Sequence, residues 1–442
     1  MTHVRRQGLA LAAGLAAGFL LVAAVSLGGA GAAQRVSLAL FARPSFVPSP
    51  ADNPPSAVKA ALGKRLFEDP GLSVSGKIAC ASCHDSRLAY ADGTRLSAGV
   101  TGRRLARHTP ALWNLAWSPA LYWDGRAASF EDQARFPLEH TDEMGEHIDT
   151  LSRRLAGNPT YQAAFAEAFP DDPRVTPKNL LKAIATFERT LVSPPTRFDR
   201  WVAGEASALD AAEQRGFALF TGKAHCVTCH SGWAFTDYAF HDIGLPGSDL
   251  GRGAVIKLSV ADHAFKTPSL RELAWTAPYM HDGSIDTLEK AVRHYESGGI
   301  RRPSQSPDMP RPFQLTVKER NDLVAFLQTL SSEDPPQPSR EPWVAAPAPP
   351  ARPPEVVGVS AISQKDKLFR PAHIRIARGT PLTIFNDDTR THNVRIFDPR
   401  FDYNSGAQEP GQSIRIEFPA TGTFEASCGI HPTMRLTVDV TP

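Results

Sequence analysis

The chain has 442 residues, a formal net charge of +2 and a hydrophobic content of 42%. A charge balance so close to neutral argues against a nucleic-acid partner, which would need a clearly basic surface. The length predicts two to four domains, and the composition is ample for a globular core in each of them.

The N-terminus predicts export from the cytoplasm. Two arginines precede an uncharged run, rich in Gly, Ala, Leu and Val, that extends from Gly8 to about Ala33. This pattern is typical of a signal peptide over residues 1–33, and Ala30-Gly-Ala32 offers a cleavage motif. An uncleaved inner-membrane anchor is the alternative, because the run could span a bilayer core of about 30 Å. Both alternatives place the remainder of the chain in the periplasm.

Two Cys-x-x-Cys-His motifs indicate covalently bound haem c. In this motif two thiols bond to the porphyrin vinyl groups, and the adjacent His ligates the iron. A zinc knuckle would need further Cys or His at tetrahedral spacing, which the sequence lacks near either motif. A redox dithiol or a disulfide does not need the His. The residues predicted to hold the two haems are Cys80, Cys83, His84, Cys226, Cys229 and His230.

The haem motifs belong to a widely spaced internal repeat. Lys77–Asp92 corresponds to Lys223–Asp237, and Thr109–Gly125 corresponds to Thr267–Gly283 without a gap. We therefore predict two homologous, mainly α-helical domains of the class I cytochrome c type. Helical periodicity and capping residues predict several helices within them. The predicted domains are residues 50–200 and 201–332, and the predicted helices are Thr150–Phe169, Pro177–Leu191, Ser207–Phe220 and Val317–Leu330.

The two copies differ at one informative position. Tyr295 in the second copy corresponds to Pro137 in the first. A tyrosinate can ligate haem iron and a proline cannot, so one haem should be open on its distal side and the other closed, unless neither position faces iron. Gln133 and Glu143 flank Pro137, and an amide with a carboxylate could manage the two protons of peroxide O–O cleavage. The alternative is that Glu143 is a solvated surface acid.

Residues 333–355 predict a semi-rigid linker. Nine prolines lie between Ser331 and Pro354, and a segment so rich in proline is extended and builds no core of its own. Such a tether would keep the segment beyond it at a high local concentration.

The C-terminal segment combines the ligands of a blue-copper site with the alternation of β-strands. Two imidazoles, a thiolate and a thioether form the donor set of type 1 copper. A buried free cysteine beside a chance His and Met is the alternative. The predicted ligands are His392, Cys428, His431 and Met434. The strand-like stretches Leu382–Phe385, Val394–Ile396, Ile414–Phe418 and Leu436–Val440 predict an antiparallel β-sandwich over residues 356–442.

This segment resembles the cupredoxins, and its short loop from Cys428 to Met434 is most like that of amicyanin. The resemblance implies that His431 lies at the surface of the sandwich among apolar residues, at the point where electrons leave. With one copper ion there, every cysteine has a cofactor role and no pair remains for a disulfide.

The region from about 50 to 332 resembles the bacterial di-haem cytochrome c peroxidases and their MauG relatives. The motifs that carry the resemblance are Trp113-Asn114, Trp123–Arg126, Glu131–Ala134, Pro137-Leu138, Glu143–Gly145, Phe240–Gly244, Phe265–Arg271 and Ala277–Gly283. The resemblance implies an N-terminal peroxidatic haem and a C-terminal electron-transfer haem. It further implies the following site residues: Trp123 as a bridge between the haems, Gln133 and Glu143 in the peroxide pocket, Pro137 over the open iron, and backbone oxygens of Thr276 and Pro278 on a calcium ion.

The sequence departs from the family pattern at three positions. Val100 stands where many members have a removable distal His, so the resemblance implies a peroxidatic site that is open without reductive activation. Tyr295 stands where those members have a Met, as in the MauG branch, and His294 and Met280 are competing ligands. His108 replaces the Asn that binds calcium, and imidazole is a poor ligand for that hard cation.

These observations predict an enzyme that reduces hydrogen peroxide, with electrons relayed through the second haem from a tethered copper centre. A small periplasmic cytochrome or cupredoxin is an alternative electron donor. Two other functions stay open: MauG-like oxidation of a partner protein, and electron transfer without catalysis. The resemblance also implies that a homodimer can form.

Overall fold

The computed structural model describes residues 37–337 and 353–442. The predicted export segment over residues 1–33 and most of the Pro-rich linker lie outside these ranges. Within them, no helix is both long enough and apolar enough to cross a membrane.

The part of the chain around the first haem motif is helical. Each of its helices begins at a residue whose side chain accepts a hydrogen bond from a backbone N–H of the first turn. The five helices are α1 (Ala57–Glu68), α2 (Phe130–Glu139), α3 (Ile148–Ala156), α4 (Pro159–Ala168) and α5 (Pro177–Arg189).

The prediction of one helix over Thr150–Phe169 was wrong, because the chain forms α3 and α4 there. Gly157 is the C-cap of α3, and the Asn158 side chain accepts a hydrogen bond from the backbone N–H of Thr160. Pro159 then occupies the first position of α4, where its missing N–H costs nothing. This Gly-Asn-Pro sequence ends one helix and starts the next.

The part around the second haem motif repeats this architecture. The prediction that a helix starts at Ser207 was early by four residues, because Asp210 caps the helix and accepts hydrogen bonds from Ala212 and Glu213. The helices and short strands are α6 (Arg197–Val202), α7 (Ala211–Thr221), β1 (Phe240–His241), α8 (Arg252–Ile256), β2 (Phe265–Lys266), α9 (Leu288–Ser297) and α10 (Val317–Gln328).

Two glycines reveal the repeat in three dimensions. Helix α1 crosses α5 at Gly63, where a Cβ atom would overlap the carbonyl oxygen of Ala183, and α7 crosses α10 at Gly216, where a Cβ atom would overlap that of Asp322. Only glycine allows the helices to approach this closely. Helices α2 and α9 have equal lengths and equivalent positions in the two copies. The predicted duplication therefore extends to helix packing.

The C-terminal part is a β-sandwich, as predicted. One sheet has the strand order β10-β7-β4-β5 and the other β3-β6-β12-β11-β8-β9. Its strands are β3 (Val356–Val357), β4 (Ala361–Lys365), β5 (Leu368–Arg370), β6 (His373–Ala377), β7 (Leu382–Asn386), β8 (Arg395–Asp398), β9 (Phe401–Asn404), β10 (Ser413–Ile416), β11 (Gly422–Ser427) and β12 (Arg435–Thr441).

The sheets are mixed and not wholly antiparallel. Strands β4 and β7, β6 and β12, and β3 and β6 pair in parallel. The reason is that the chain changes sheets between consecutive strands, so that neighbours within a sheet are distant in sequence and can run in the same direction.

The sandwich packs directly on the second haem domain. Its apolar core continues into Phe240, Ala261 and Ala264 of that domain and into Ala120 of the first haem domain. The backbone N–H of Phe240 donates to the carbonyl of Ile430 at 3.2 Å. This contact holds the loop that follows Cys428 against the haem domain.

Charged side chains join the same two parts of the molecule. Lys367 of the sandwich lies 3.1 Å from Asp237 and 3.1 Å from Asp308. The Nε of Arg390 donates to Asp308 at 2.9 Å. Two cations of the sandwich thus meet two carboxylates of the haem domain.

Candidate haem and copper sites

Both haem motifs have the same local geometry. Each forms a short 3-10 helix, Cys80–Ser82 or Cys226–Thr228, directly before its His. The Nδ1 of His84 lies 2.8 Å from the carbonyl oxygen of Tyr90, and that of His230 lies 2.9 Å from the carbonyl oxygen of Phe235. A carbonyl at this distance fixes the proton on Nδ1 and leaves Nε2 free for iron.

The chemistry of the cysteines fits haem attachment better than a redox dithiol. Burial raises the pKa of the Cys80 thiol, and burial raises the pKa of the Cys226 thiol to about 12. A redox dithiol needs the opposite shift, because its thiolate is the reactive form. Burial also lowers the pKa of His84 and of His230, which keeps both imidazoles neutral for metal ligation.

A cavity of about 270 Å³ lies beside the second motif. Its wall contains Cys226, Cys229 and His230, and also Tyr295 and Met280. An internal space whose wall contains the two motif cysteines, the motif His and two further side chains able to ligate iron fits a haem group.

The structure separates the candidate ligands of this second site. His294 is turned to the backbone, with its Nε2 2.9 Å from the carbonyl oxygen of Ile243. Tyr295 and Met280 both remain in the cavity wall. Burial raises the pKa of the Tyr295 phenol, so a phenolate there requires a bound cation. Tyr295 as the iron ligand stays a prediction.

The first site places Glu143 in the turn that follows α2. The backbone N–H of Glu143 donates to the carbonyl oxygen of His140 at 3.0 Å, and the N–H of Met144 donates to the carbonyl oxygen of Pro137 at 3.0 Å. The turn therefore folds back on the end of the helix. Burial raises the pKa of Glu143, while His140 and Arg126 partly oppose this rise. Glu143 is therefore not the solvated surface acid of the alternative interpretation.

Glu143 is also close to the first haem motif. Burial raises the pKa of the Cys83 thiol and of the Tyr122 phenol, and the negative charge of Glu143 also raises both. The Tyr122 hydroxyl donates to the carbonyl oxygen of Gln133 at 3.1 Å. Gln133 and Pro137 lie on α2 itself. The predicted peroxide-pocket residues thus share one helix and its following turn.

The segment Ser97–Gly102 packs against this turn. The backbone N–H of Val100 donates to the carbonyl of Glu143 at 2.9 Å, and a Cβ atom on Gly99 would overlap the carbonyl oxygen of Asp142. The segment contains no His, so it offers no imidazole to close the first site.

Trp123 lies at the boundary between the two haem domains. Its Nε1 donates to the carbonyl oxygen of His108 at 2.8 Å, and its own carbonyl accepts from the N–H of Lys266 at 2.8 Å. Trp123 is also in the wall of the cavity that contains His230. Trp123 as the bridge between the haems stays a prediction.

The calcium prediction gains no support. His108 uses Nδ1 to contact the carbonyl oxygen of Thr94 at 2.9 Å, and the hydroxyl of Thr276 donates to the carbonyl of Leu273 at 3.3 Å. Within residues 37–337 and 353–442, no cluster of His, Cys, Asp and Glu suited to a metal lies at Thr276 and Pro278.

The predicted copper ligands converge in the sandwich. The Nδ1 atoms of His392 and His431 lie 3.1 Å apart, and the Cys428 Sγ lies 3.8 Å and 3.7 Å from them. These spacings suit one small ion in a trigonal N₂S site. Met434 is fully buried in the same loop.

The surroundings of these ligands also favour a metal. Asp388 contacts the other nitrogen of His392, Nε2, at 3.1 Å and so directs Nδ1 inward. Burial lowers the pKa of both His392 and His431 and raises the pKa of the Cys428 thiol. Neutral imidazoles are ready to bind, and a bound cation would offset the cost of the thiolate.

His431 is only 4% exposed. The predicted surface position of this imidazole is therefore wrong for this chain. Besides burial, the charges of His392, Lys367 and His241 lower the pKa of His431. His241 belongs to the haem domain, and its own ring lies 3.0 Å from Asp237.

Three residues of the sites escaped the sequence analysis. Glu188 on α5 is fully buried near Cys80, and burial raises its pKa to about 8. His241 and Arg252 lie between the second haem motif and the copper loop. His241 was visible only as part of a family motif without a role, and nothing in the sequence pointed to Arg252 or Glu188.

Comparison with known protein families covers both haem domains. The family model of di-haem cytochrome c peroxidases matches residues 57–207, and that of cytochrome c matches residues 213–331.

Individual relatives extend this result. The methylamine utilization protein MauG of Methylorubrum extorquens is 50% identical over 298 residues, which cover 67% of this chain and 84% of that protein. The cytochrome-c peroxidase IdrP1 of Denitromonas iodatirespirans is 37% identical over 370 residues, and the aligned region covers 76% of this chain and 95% of that protein. The crystal structure of a MauG-like protein associated with microbial copper homeostasis superposes with a TM-score of 0.61 at 33% identity, over 66% of this chain and 95% of that one.

Proposed function

Because the chain belongs to the di-haem cytochrome c peroxidase family, we propose that it reduces hydrogen peroxide at the first haem site and receives electrons through the second site and the β-sandwich. The observation that carries the proposal is the difference between α2 and α9, the helices that occupy equivalent positions in the two haem domains. Helix α2 has Pro137 where α9 has Tyr295, and the partly buried acid Glu143 follows α2 alone.

The reaction consumes one hydrogen peroxide, two protons and two electrons and yields two water molecules. When bound, the haems supply the iron that binds and cleaves peroxide, and copper supplies a one-electron carrier. The protein must then provide proton handling, orientation and a route for electrons.

Glu143 handles the proton. Its carboxylate takes a proton from one peroxide oxygen and returns it to the oxygen that leaves as water, a role suited to an acid whose pKa is raised towards neutrality by burial. Gln133 orients the peroxide by hydrogen bonding, and Pro137 leaves the space above the haem free of a protein ligand. Trp123 connects the two domains, with hydrogen bonds to both.

The β-sandwich is the resident electron donor. Its ligand cluster His392–Cys428–His431 has the spacing for copper, and its loop is hydrogen bonded to the second haem domain. A diffusible one-electron carrier must reload it, since each peroxide consumes two electrons. The N-terminal sequence supports a periplasmic location for this exchange.

MauG-like oxidation of a partner protein is the second candidate function. Tyr295, in place of the Met found in other members of the family, favours it. In that case peroxide consumption should depend on the partner protein even when electrons are plentiful, whereas a peroxidase needs only the electron donor.

The test mixes the copper-reduced holoprotein with peroxide in a stopped-flow spectrometer. We expect the blue copper band to appear in a first-order phase whose rate is independent of protein concentration, because the donor is tethered. Cys428→Ser is the matched control: it should lose the band and this phase but retain both haems and the peroxide turnover with a small-molecule donor. Copper that stays reduced while peroxide disappears would contradict the donor role.

A further inference from the structure

One buried side chain contacts both the copper loop and the Trp123 loop. Arg252 begins α8 in the second haem domain and is 8% exposed. Its Nε donates to the carbonyl oxygen of Gly429 at 2.8 Å, one residue after Cys428. Its Nη1 donates to the carbonyl oxygens of Asp124 at 3.1 Å and Gly125 at 2.9 Å, directly after Trp123.

The surroundings hold the guanidinium in this place. Its central carbon lies 4.4 Å from the centre of the Phe240 ring, and the backbone N–H of Phe240 contacts the copper loop at Ile430. Gly125 has a φ of +68°, and a Cβ atom there would overlap the Phe240 ring and lie 3.0 Å from the Arg252 Nη1. The two haem domains and the sandwich therefore meet at the Arg252 guanidinium, and the packing at Gly125 leaves no room for a methyl group there.

The same cation acts electrostatically on the copper ligand. The guanidinium lies beside the copper loop, with its Nε 2.8 Å from the carbonyl oxygen of Gly429, the residue that follows Cys428. A positive charge beside a copper-bound thiolate stabilises the reduced site, which carries one positive charge fewer than the oxidised site.

From these contacts we propose that Arg252 is a positioning residue for electron transfer from the copper site to the haem pair, an inference that rests on the proposed donor role of the sandwich. It has two effects. Its forked hydrogen bonds hold the backbone beside Cys428 against the backbone beside Trp123, and its charge favours the reduced form of copper. The one-electron transfer itself makes and breaks no bond.

The two effects can be separated with two variants. Arg252→Gln removes the charge and the fork, whereas Arg252→Lys keeps the charge but cannot contact both loops with a planar group. Loss of the charge makes copper easier to oxidise, which alone would speed electron transfer. A slower transfer in Arg252→Gln therefore reports lost positioning and not a lost driving force.

The experiment has a kinetic readout and an equilibrium readout on the full-length holoprotein. After peroxide mixing, copper oxidation in Arg252→Gln should be slower by about tenfold or more, because small misplacements of reacting groups have effects of this size. In redox titration with a mediator, the equilibrium constant for copper reduction should fall by about tenfold in Arg252→Gln and stay within about twofold of the wild type in Arg252→Lys. Copper oxidation in Arg252→Lys should be at least as slow as in Arg252→Gln, because the fork is lost in both variants and only Arg252→Gln gains driving force.

Arg107→Gln is the matched control. Arg107 also contacts the Trp123 loop, through Asp124 at 2.5 Å, but its other two hydrogen bonds go to Asp249, at 2.7 Å and 3.0 Å, and not to the copper loop. The copper equilibrium should not change in this variant. If wild-type copper is oxidised by peroxide and Arg252→Lys copper, at an unchanged driving force, is oxidised equally fast, the positioning inference is wrong while the donor role stands. If wild-type copper stays reduced, the donor role itself is wrong, and an unchanged copper equilibrium in Arg252→Gln would overturn the electrostatic effect independently of turnover.

Discussion

The two haem domains share their attachment geometry and differ on the opposite side. In both, a helix pair crosses at a glycine, and the axial His contacts a backbone carbonyl at 2.8–2.9 Å. At equivalent positions of α2 and α9, however, one domain has Pro137 and the other Tyr295. A duplicated scaffold can thus keep the part that holds the cofactor while one position of an equivalent helix differs between the copies; in the proposed function this difference separates catalysis from electron transfer.

The largest expected effect comes from the acid that only the first domain has. Glu143→Gln should retain both haems and slow peroxide turnover by roughly 10²–10⁴-fold, because a positioned proton carrier is lost. Steady-state peroxide consumption measures this. Asp142→Asn is the control, since this neighbouring acid pairs with Arg103 at 3.5 Å and accepts a hydrogen bond from the Thr101 hydroxyl at 3.0 Å, both in exposed positions. A fall of less than about threefold in Glu143→Gln, under peroxide-limited conditions, would make Glu143 a bystander.

The second test removes Tyr295, the predicted iron ligand of the other domain. Tyr295→Phe should convert the second haem from six-coordinate to five-coordinate or water-bound, because the phenolate oxygen is lost while the ring remains. Electron paramagnetic resonance of the ferric protein measures the change, and the first haem should be unaffected.

Tyr279→Phe is the control for this test. Tyr279 lines the same cavity, but its hydroxyl donates to the carbonyl of Leu273 at 3.1 Å. A Tyr295→Phe spectrum identical to that of the wild type would reassign the ligand to Met280, the other candidate in the cavity wall.

A third test concerns the pH dependence of the open site. Burial raises the pKa of Glu143, and Arg126 opposes part of that rise. Arg126→Gln should therefore raise this pKa further. Because the carboxylate form accepts the peroxide proton, the rising limb of kcat/KM against pH should move to higher pH. Arg126→Lys keeps the charge and should leave the limb in place, and an equal shift in both variants would contradict the electrostatic explanation.

The smallest effect is expected where the sandwich meets the second haem domain. Asp308→Asn weakens the pairs with Lys367 and Arg390, and such pairs contribute about 0–1 kcal/mol when partly exposed. Hydrogen exchange of the Phe240 amide, which donates to Ile430, should accelerate by up to about fivefold. Added salt should have a similar effect in the wild type.

Asp398→Asn serves as the control for this interface. The Asp398 carboxylate pairs with the Arg400 guanidinium at 2.8 Å, and both residues belong to the sandwich. If the Phe240 amide exchanges equally fast in the wild type, Asp308→Asn and Asp398→Asn, the ion pairs do not hold the sandwich against the second haem domain.

Local patterns were readable in the sequence, and long-range contacts were not. The haem motifs and the loop from Cys428 to Met434 carry their ligands within a few residues, so spacing alone predicts the chemistry. The break between α3 and α4 was also present, as Gly157-Asn158-Pro159, but helical periodicity on both sides masked it. Parallel strand pairing depends on sheet crossovers that no local pattern reveals.

The roles of His241 and Arg252 depend on contacts with residues about 180 positions later in the chain, such as Gly429. A single sequence gives no sign of such a contact, because no motif or residue spacing in the haem domain marks the residues that the β-sandwich will contact. Glu188 was missed for a related reason: it lies among buried residues of an otherwise amphipathic helix.

The burial of His431 has a consequence for the energetics of electron transfer. When an imidazole ligand faces water, solvent dipoles must reorient each time the copper charge changes. Here His431 is 4% exposed, and the charges that act on it include His241 and Asp237 of the haem domain. Such preorganised surroundings need little rearrangement when charge moves. A copper site covered in this way should therefore have a low reorganisation energy, and its transfer rate should depend only weakly on temperature.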